Sequence, residues 1–252
     1  MSVEIALRAA RVRYGPLEAL HGLDLPVPAG TVTVLLGRNG SGRTTALRAL
    51  AGTVRLSAGR VLWRGSDATR LSAHERARRG LCFVPVLEAV YATLTVAENL
   101  ALAATGGPAR RSAPGGPARR SAAPDGAARR LHVPGAATPD TATPPPYPEL
   151  VPLLDRPAGT LSGGERRMLA LSRAFLAARA RVVLVDEPSL GLAPPVAART
   201  YRWLTALAVE GGAAVVLAEQ RVPDGLPRGS LVHELRRGSL VFSGEPAELA
   251  RR

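Results

Sequence analysis

The stretch Thr31–Leu50, TVTVLLGRNGSGRTTALRAL, decides how the rest of the chain is read. Val32, Val34, Leu35 and Leu36 make a short β-branched and aliphatic run, the pattern of a strand buried in a parallel sheet. Glycines interrupt it, and a helical periodicity takes over across Thr44–Leu50. Gly37, Gly40 and Gly42 let the backbone turn successive N–H groups into one concavity. That concavity opens at a helix N-terminus, where peptide dipoles and free amides favour a phosphate. The spacing is G-x-x-x-x-G-K-[ST], the P-loop, with Arg43 in place of lysine and Thr44 offering the hydroxyl expected on Mg²⁺. Taken alone, the stretch also fits a plain glycine turn between a strand and a helix.

At 252 residues and 46% hydrophobic content, the chain suits one α/β domain with a sizeable aliphatic core. No run of about 18 apolar residues occurs, so no segment is expected to span a bilayer, and Met1–Ala10 is not expected to be a signal peptide. The single Cys82 excludes an internal disulfide framework, fits a reducing compartment and reads as core packing. Net charge is +13, and all 33 basic residues are arginine. Such a balance is compatible with nucleic acid, an anionic membrane surface, or neither. Six of those arginines fall in Thr105–Pro148, where GGPARRSA repeats at Gly106–Ala113 and Gly115–Ala122 before a Pro/Ala/Thr tract. That composition is expected to form a disordered insertion on a surface loop.

Strands are expected at Val3–Tyr14, Leu23–Val27, Gly59–Trp63, Leu81–Val86, Arg181–Val185 and Ala213–Ala218, with a hairpin at Leu231–Leu235 and Ser239–Ser243. Helices are expected at Ser72–Arg79, from Thr95 as N-cap, from Ser162 through Ala178 with Glu165 completing a capping box, at Pro194–Val209 and at Pro246–Arg251. His74, with no His or Cys nearby, is not a metal ligand. Strands alternating with helices imply a mainly parallel sheet with phosphate chemistry at the strands' C-terminal ends. A P-loop needs a carboxylate for Mg²⁺, and Asp186 ends an apolar run. Glu187 follows it, placed to orient and deprotonate a water.

GRNGSGRTT (Gly37–Thr45), LSGGE (Leu161–Glu165), VVLVDEPSLGLAP (Val182–Pro194) and Tyr14 together resemble the ATP-binding subunits of ABC transporters. The resemblance covers nearly all of the chain outside Thr105–Pro148. VRYGPLEALHGL, TLTVAENL, GTLSGGERRMLALSRA and VVLAEQ look like the second ATPase subunit of branched-chain amino acid importers, a group that includes urea and amide importers.

The resemblance implies a P-loop NTPase (RecA-like) α/β core, an N-terminal antiparallel β subdomain and an inserted α-helical signature subdomain. One domain would span residues 1–252, with 1–95 and 181–252 as core and 96–180 as the helical part. It implies that Tyr14 stacks adenine, and that Gly37, Arg38, Asn39, Gly40, Ser41, Gly42, Arg43, Thr44 and Thr45 hold the phosphates of ATP. Thr44 and Asp186 would hold Mg²⁺, Glu187 would act as base, and Gln220 would sit at the switch position. Ser162, Gly163 and Gly164 would close on nucleotide bound by the other subunit of a head-to-tail dimer, with Ser189–Leu192 crossing between the sites.

Membrane-spanning permease subunits, a sister ATPase (a heterodimer favoured over a homodimer) and, indirectly, a solute-binding protein would be the partners. The subunit itself would be cytoplasmic and peripheral on the membrane's inner face. No specific nucleic acid is expected, since one P-loop and no Cys cluster argue against a soluble ABC ATPase acting on nucleic acid. Two departures from the family pattern are Arg43 for lysine and Val86 for Gln or Glu, with Glu88 two residues further on. They support an alternative reading, a non-hydrolysing nucleotide-binding partner in a heterodimer.

Overall fold

Strict alternation along the most apolar runs sets the architecture. The computed structural model describes residues 2–86, 90–104, 146–176 and 180–251. In chain order these form β1 (Val3–Tyr14), β2 (Leu17–Pro28), β3 (Val32–Leu36), α1 (Arg43–Ala51), β4 (Ala58–Trp63), β5 (Ser66–Asp67), α2 (Ala73–Arg78), β6 (Leu81–Val84) and α3 (Val96–Ala104). Two 3₁₀ turns, Pro148–Leu153 and Ala158–Thr160, lead to α4 (Gly163–Leu176), β7 (Val182–Asp186), α5 (Pro194–Val209), β8 (Ala214–Glu219), β9 (Leu231–Arg236), β10 (Ser239–Gly244) and α6 (Pro246–Leu249). A four-stranded sheet runs β2-β1-β4-β5, and a six-stranded sheet runs β10-β9-β3-β8-β7-β6. Pairings in the first are antiparallel, and in the second only β10 is antiparallel to its neighbour.

Both faces of the larger sheet are covered at its centre, which is why β3, β7 and β8 are almost wholly apolar and buried. Leu35, Leu184 and Val216 point to the side shared with α1 and the antiparallel sheet, among Ile5, Leu7, Leu47 and Leu50. Val34, Val185 and Leu217 point to the opposite side, among Leu169, Leu171 and Leu204 of α4 and α5. α1 therefore lies between the two sheets. Its C-terminal carbonyls are closed by Arg76, whose guanidinium donates to the carbonyls of Ala49, Leu50, Ala68, Thr69 and Leu71 at 2.6–3.3 Å. A cation at that end also complements the helix dipole.

Several boundaries differ from those expected. β2 begins at Leu17 rather than Leu23 and runs through Pro26 to Pro28. It is an edge strand, where a missing N–H faces away from the ladder. β6 stops at Val84, because Pro85 cannot extend the ladder. β5 has only two residues, too few for a periodicity. It follows a turn at Arg64 (φ 50°) and Gly65 (φ 79°), and Arg237 (φ 46°) and Gly238 (φ 77°) make the same kind of turn between β9 and β10. Cys82 is only partly buried, packed beside the second core. The expected capping box is present: Ser162 Oγ accepts from Glu165 N at 3.3 Å and Glu165 Oε2 accepts from Ser162 N at 2.7 Å. The end of that helix at Ala178, and all but the last residues of the Thr105–Pro148 insertion, lie outside the described residues.

The segment from Tyr147 packs into the core, as expected. Tyr147 is fully buried, edge-on to Trp203 with ring centroids 5.0 Å apart, and its hydroxyl shares a 2.8 Å hydrogen bond with Thr200 Oγ1. No helix among the described residues is long and apolar enough to cross a membrane.

His233 on β9 is buried, and neither ring nitrogen has a hydrogen-bond partner. Burial lowers its pKa from 6.5 to about 4. The unfolded chain therefore binds the proton more readily, and stability rises with pH. This contribution is complete above pH 6.5 and is lost as pH falls to about 4, amounting to about 3 kcal/mol. Urea midpoints measured from pH 8 to pH 4 are expected to fall less steeply for His233→Leu than for the wild type.

Candidate functional site

The C-terminal ends of β3, β8 and β7 lie side by side, Leu36 opposite Glu219 and Ala218 opposite Asp186. Three stretches far apart in sequence therefore meet in one row. After Leu36 the chain bends tightly. Gly37 N donates to Glu219 O at 3.1 Å, and a Cβ at Gly37 would lie 2.6 Å from Leu235 O. Only glycine fits there. Ser41 N donates to Arg38 O at 3.0 Å, and Gly238 N, from the β9–β10 turn, donates to Ser41 O at 2.9 Å, bracing the loop from behind. Gly40 and Gly42 adopt φ of 78° and 103°, in the left-handed region. Gly42 caps α1 without a side-chain hydrogen bond, and no acid occupies the first turn, so the helix end presents its amides to an anion.

Arg43, the first residue of α1, is 5% exposed. Its Nη2 donates to Glu187 Oε1 at 3.0 Å, while its buried Nη1 has no partner. Gln220 Nε2 donates to the same Glu187 oxygen at 3.1 Å. One carboxylate oxygen thus receives a cation and an amide. Glu187 holds φ 48°, rare for a residue with a side chain, and its N–H donates to Ala218 O at 2.9 Å.

Asp186 is buried with Oδ1 unpartnered. Burial raises its pKa and the neighbouring Glu187 adds to this; a Thr44 hydrogen bond and the charges of Arg43 and Arg167 oppose it. A buried, orphaned oxygen beside a threonine hydroxyl suits a hard cation such as Mg²⁺. Among the described residues no group of three or more His, Cys, Asp or Glu could hold a metal. An ion here would take its other oxygens from water and phosphate, as Mg²⁺ prefers.

Of the residues anticipated from sequence, Gly37–Thr45, Asp186, Glu187 and Gln220 come together. Tyr14 ends β1 opposite Leu17, its ring 42% exposed, on the hairpin whose second strand packs Ala19 and Leu20 against Gly42. Ser162 and Gly163 are exposed at the start of α4. Among the described residues no hydrogen bond or ion pair joins Ser162, Gly163 or Gly164 to the P-loop. Gly164 instead lies where a Cβ would approach Gly191 O at 2.9 Å, beside the loop that follows Glu187. Val86 is half-buried, and Glu88 lies outside the described residues.

The ABC transporter family profile matches residues 20–190. The chain belongs to the ABC transporter family. It is similar to LivF of Archaeoglobus fulgidus, a probable branched-chain amino acid transport ATP-binding protein, with 31% identity covering 94% of this chain and 89% of that one. BraG of Pseudomonas aeruginosa, a high-affinity branched-chain amino acid transport ATP-binding protein, is 30% identical, covering 94% and 90%. In fold it is similar to a nucleotide-free ATP-binding cassette from an ABC transporter, with TM-score 0.71 and 22% identity over 100% of this chain and 94% of that one. The chain is thus an ABC-type, nucleotide-binding transport ATPase with the α/β cassette fold, and the non-hydrolysing alternative is not favoured.

Two residues at this ABC site were not anticipated. Glu219, ending β8, is a buried carboxylate that accepts hydrogen bonds from the Tyr201 hydroxyl and from Ser189 Oγ, the latter at 3.4 Å. Arg167 on α4 is buried and donates to the successive backbone carbonyls of Asp186 and Glu187. The signal for Arg167 was its helical stripe: Leu171 and Ala174, four and seven residues on, are fully buried. For Glu219, an acid as the last residue of an all-apolar strand was the clue.

Burial and the charge of Glu187 raise the Glu219 pKa, and the Tyr201 hydrogen bond opposes the rise. Removing that hydroxyl lifts the pKa further and penalises the ionised form more than the neutral one. Tyr201→Phe is therefore expected to cost about 1–3 kcal/mol at pH 8 and distinctly less at pH 5, read from chemical denaturation at both values.

Proposed function

We propose that this chain binds Mg²⁺-ATP between its P-loop and Asp186, hydrolyses it with Glu187 as general base, and drives a membrane importer. The observation that carries the reading is the convergence of Arg43 and Gln220 on one oxygen of Glu187, at the mouth of the P-loop. With Oε1 so held, the other carboxylate oxygen faces the remaining role, accepting a proton from water. As the water oxygen bonds to the γ-phosphorus, the bond to the β–γ bridging oxygen breaks and the proton passes to Glu187. Gln220 orients the carboxylate. The unpartnered Nη1 of Arg43, buried beside the loop amides, suits a phosphate oxygen. Thr44 and Asp186 would hold Mg²⁺, which would neutralise charge between the β- and γ-phosphates.

Roles for Tyr14 in stacking adenine, and for Ser162, Gly163 and Gly164 in closing on a nucleotide across a head-to-tail dimer, complete this reading. The exposed N-terminus of α4 supports it, since these residues make no bond to their own P-loop. By analogy with LivF and BraG, the solute is a branched-chain or other hydrophobic amino acid, or a related small molecule. The partners are membrane-spanning permease subunits, a sister ATPase favoured over a second copy, and indirectly a solute-binding protein. The chain would work in the cytoplasm against the inner face of the membrane. The core would comprise 1–95 and 181–252, with 96–180 as the helical subdomain.

Single-turnover hydrolysis tests the proposal. Glu187→Gln is expected to slow turnover by about 10²–10⁴-fold while ATP affinity stays within about twofold. Equal rates for the wild type and Glu187→Gln, or no turnover with intact ATP binding, would return the chain to a structural partner's role. Arg43→Ala is expected to weaken ATP binding by about tenfold or more in equilibrium titration, through loss of a charge-assisted hydrogen bond.

A further inference from the structure

Arg167 does something that neither the P-loop chemistry nor the signature motif requires. Its Nη1 donates to Pro85 O at 2.8 Å, just past β6. Its Nη2 donates to Asp186 O at 2.5 Å and Glu187 O at 3.0 Å, at the end of β7. The guanidinium is buried and, among the described residues, forms no salt bridge; backbone carbonyls take both terminal nitrogens, while its Nε has no hydrogen-bond partner. A fully charged group has been placed inside the protein to hold backbone.

The backbone it holds is the unusual one. Glu187 sits at φ 48°, a strained conformation for a residue with a side chain. Hydrogen bonds keep it there: its N–H to Ala218 O, Leu190 N to its carbonyl at 3.1 Å, and Arg167 to the same carbonyl. The first two come from the sheet and the loop itself. Arg167 comes from another element, α4, whose first turn carries Gly163 and Gly164. Val86, next to Pro85, has no polar side chain, so Arg167 supplies the polar tie from α4 to this end of β6.

We propose that Arg167 is a positioning residue that locks the Glu187 backbone so its carboxylate meets Arg43 and Gln220, making catalytic alignment depend on the seating of α4. The inference rests on the reading of Glu187 as the base. One guanidinium thereby couples two half-sites: the carboxylate serving the chain's own nucleotide, and the glycine turn offered to a neighbour. A shift of α4 that strains the Arg167 contacts loosens Glu187 at the same time.

The experiment compares full-length wild type, Arg167→Met and Arg167→Lys by single-turnover ATP hydrolysis, binding of a fluorescent ATP analogue, and nucleotide-free hydrogen–deuterium exchange. For Arg167→Met we expect turnover to fall at least about tenfold with affinity within about twofold, because a small displacement of a catalytic group costs rate rather than binding. Exchange should quicken in residues 186–192 and leave 214–219 unchanged. Arg167→Lys, with a single ammonium for three carbonyls, should fall between. Unaltered exchange in 186–192 overturns the proposal, as does wild-type turnover in Arg167→Met. Parallel loss of binding and turnover, with faster exchange throughout, also overturns it by showing a general structural role. Should the wild type itself fail to hydrolyse ATP, the base assignment fails separately, and exchange in 186–192 still decides whether Arg167 locks that segment.

Discussion

Burying charge where parallel strands end is the constraint on which this structure depends. Asp186, Glu187 and Glu219 crowd the edge formed by β7 and β8, and all but Glu187 are buried. Burial and the charge of Glu187 push the Asp186 and Glu219 carboxyls toward their neutral forms, and the charge of Arg43 opposes that push at both. A guanidinium removed from this cluster would leave an uncompensated charge in a low-dielectric setting, the most damaging kind of loss. The P-loop, α4 and the segment after Glu187 all bond to this edge, and the β9–β10 turn braces the P-loop in its turn. Electrostatic balance at the edge therefore sets their mutual positions.

Much of the scaffold is legible in the sequence because its information is local. Apolar runs of strand length mark β3, β7 and β8, and Ser162 with Glu165 marks the start of α4. β2 reads shorter than it is because Gly22, at φ 83° where the register with β1 shifts, breaks the alternation between Leu17–His21 and Leu23. β5 carries too few residues to show any pattern, although the Arg64–Gly65 turn before it follows a general hairpin preference.

The site divides the same way. Gly37–Thr45 can be read from spacing, since glycine conformation and helix-end amides are properties of neighbouring residues. Asp186, Glu187 and Gln220 can be read as polar residues closing apolar runs. The contact between Arg43 and Glu187 spans 144 positions and cannot be read at all. Arg167 is obscured by its company: in Glu165-Arg166-Arg167 a charged run suggests a solvated face, while the 3.6-residue period turns Arg166 outward and Arg167 into the core.

The guanidinium of Arg76 illustrates a consequence of building a chain without lysine. On the surface, arginine and lysine are nearly interchangeable, and drift between them leaves folding untouched. Arg76 and Arg167 instead spread planar, multidirectional donors over several carbonyls, and Arg43 uses one arm on Glu187 with another to spare. A point-like cation in place of Arg76 or Arg167 would leave buried carbonyls without a donor. The absence of lysine thus carries structural weight at Arg76 and Arg167, where no single ammonium could reach all the carbonyls now held.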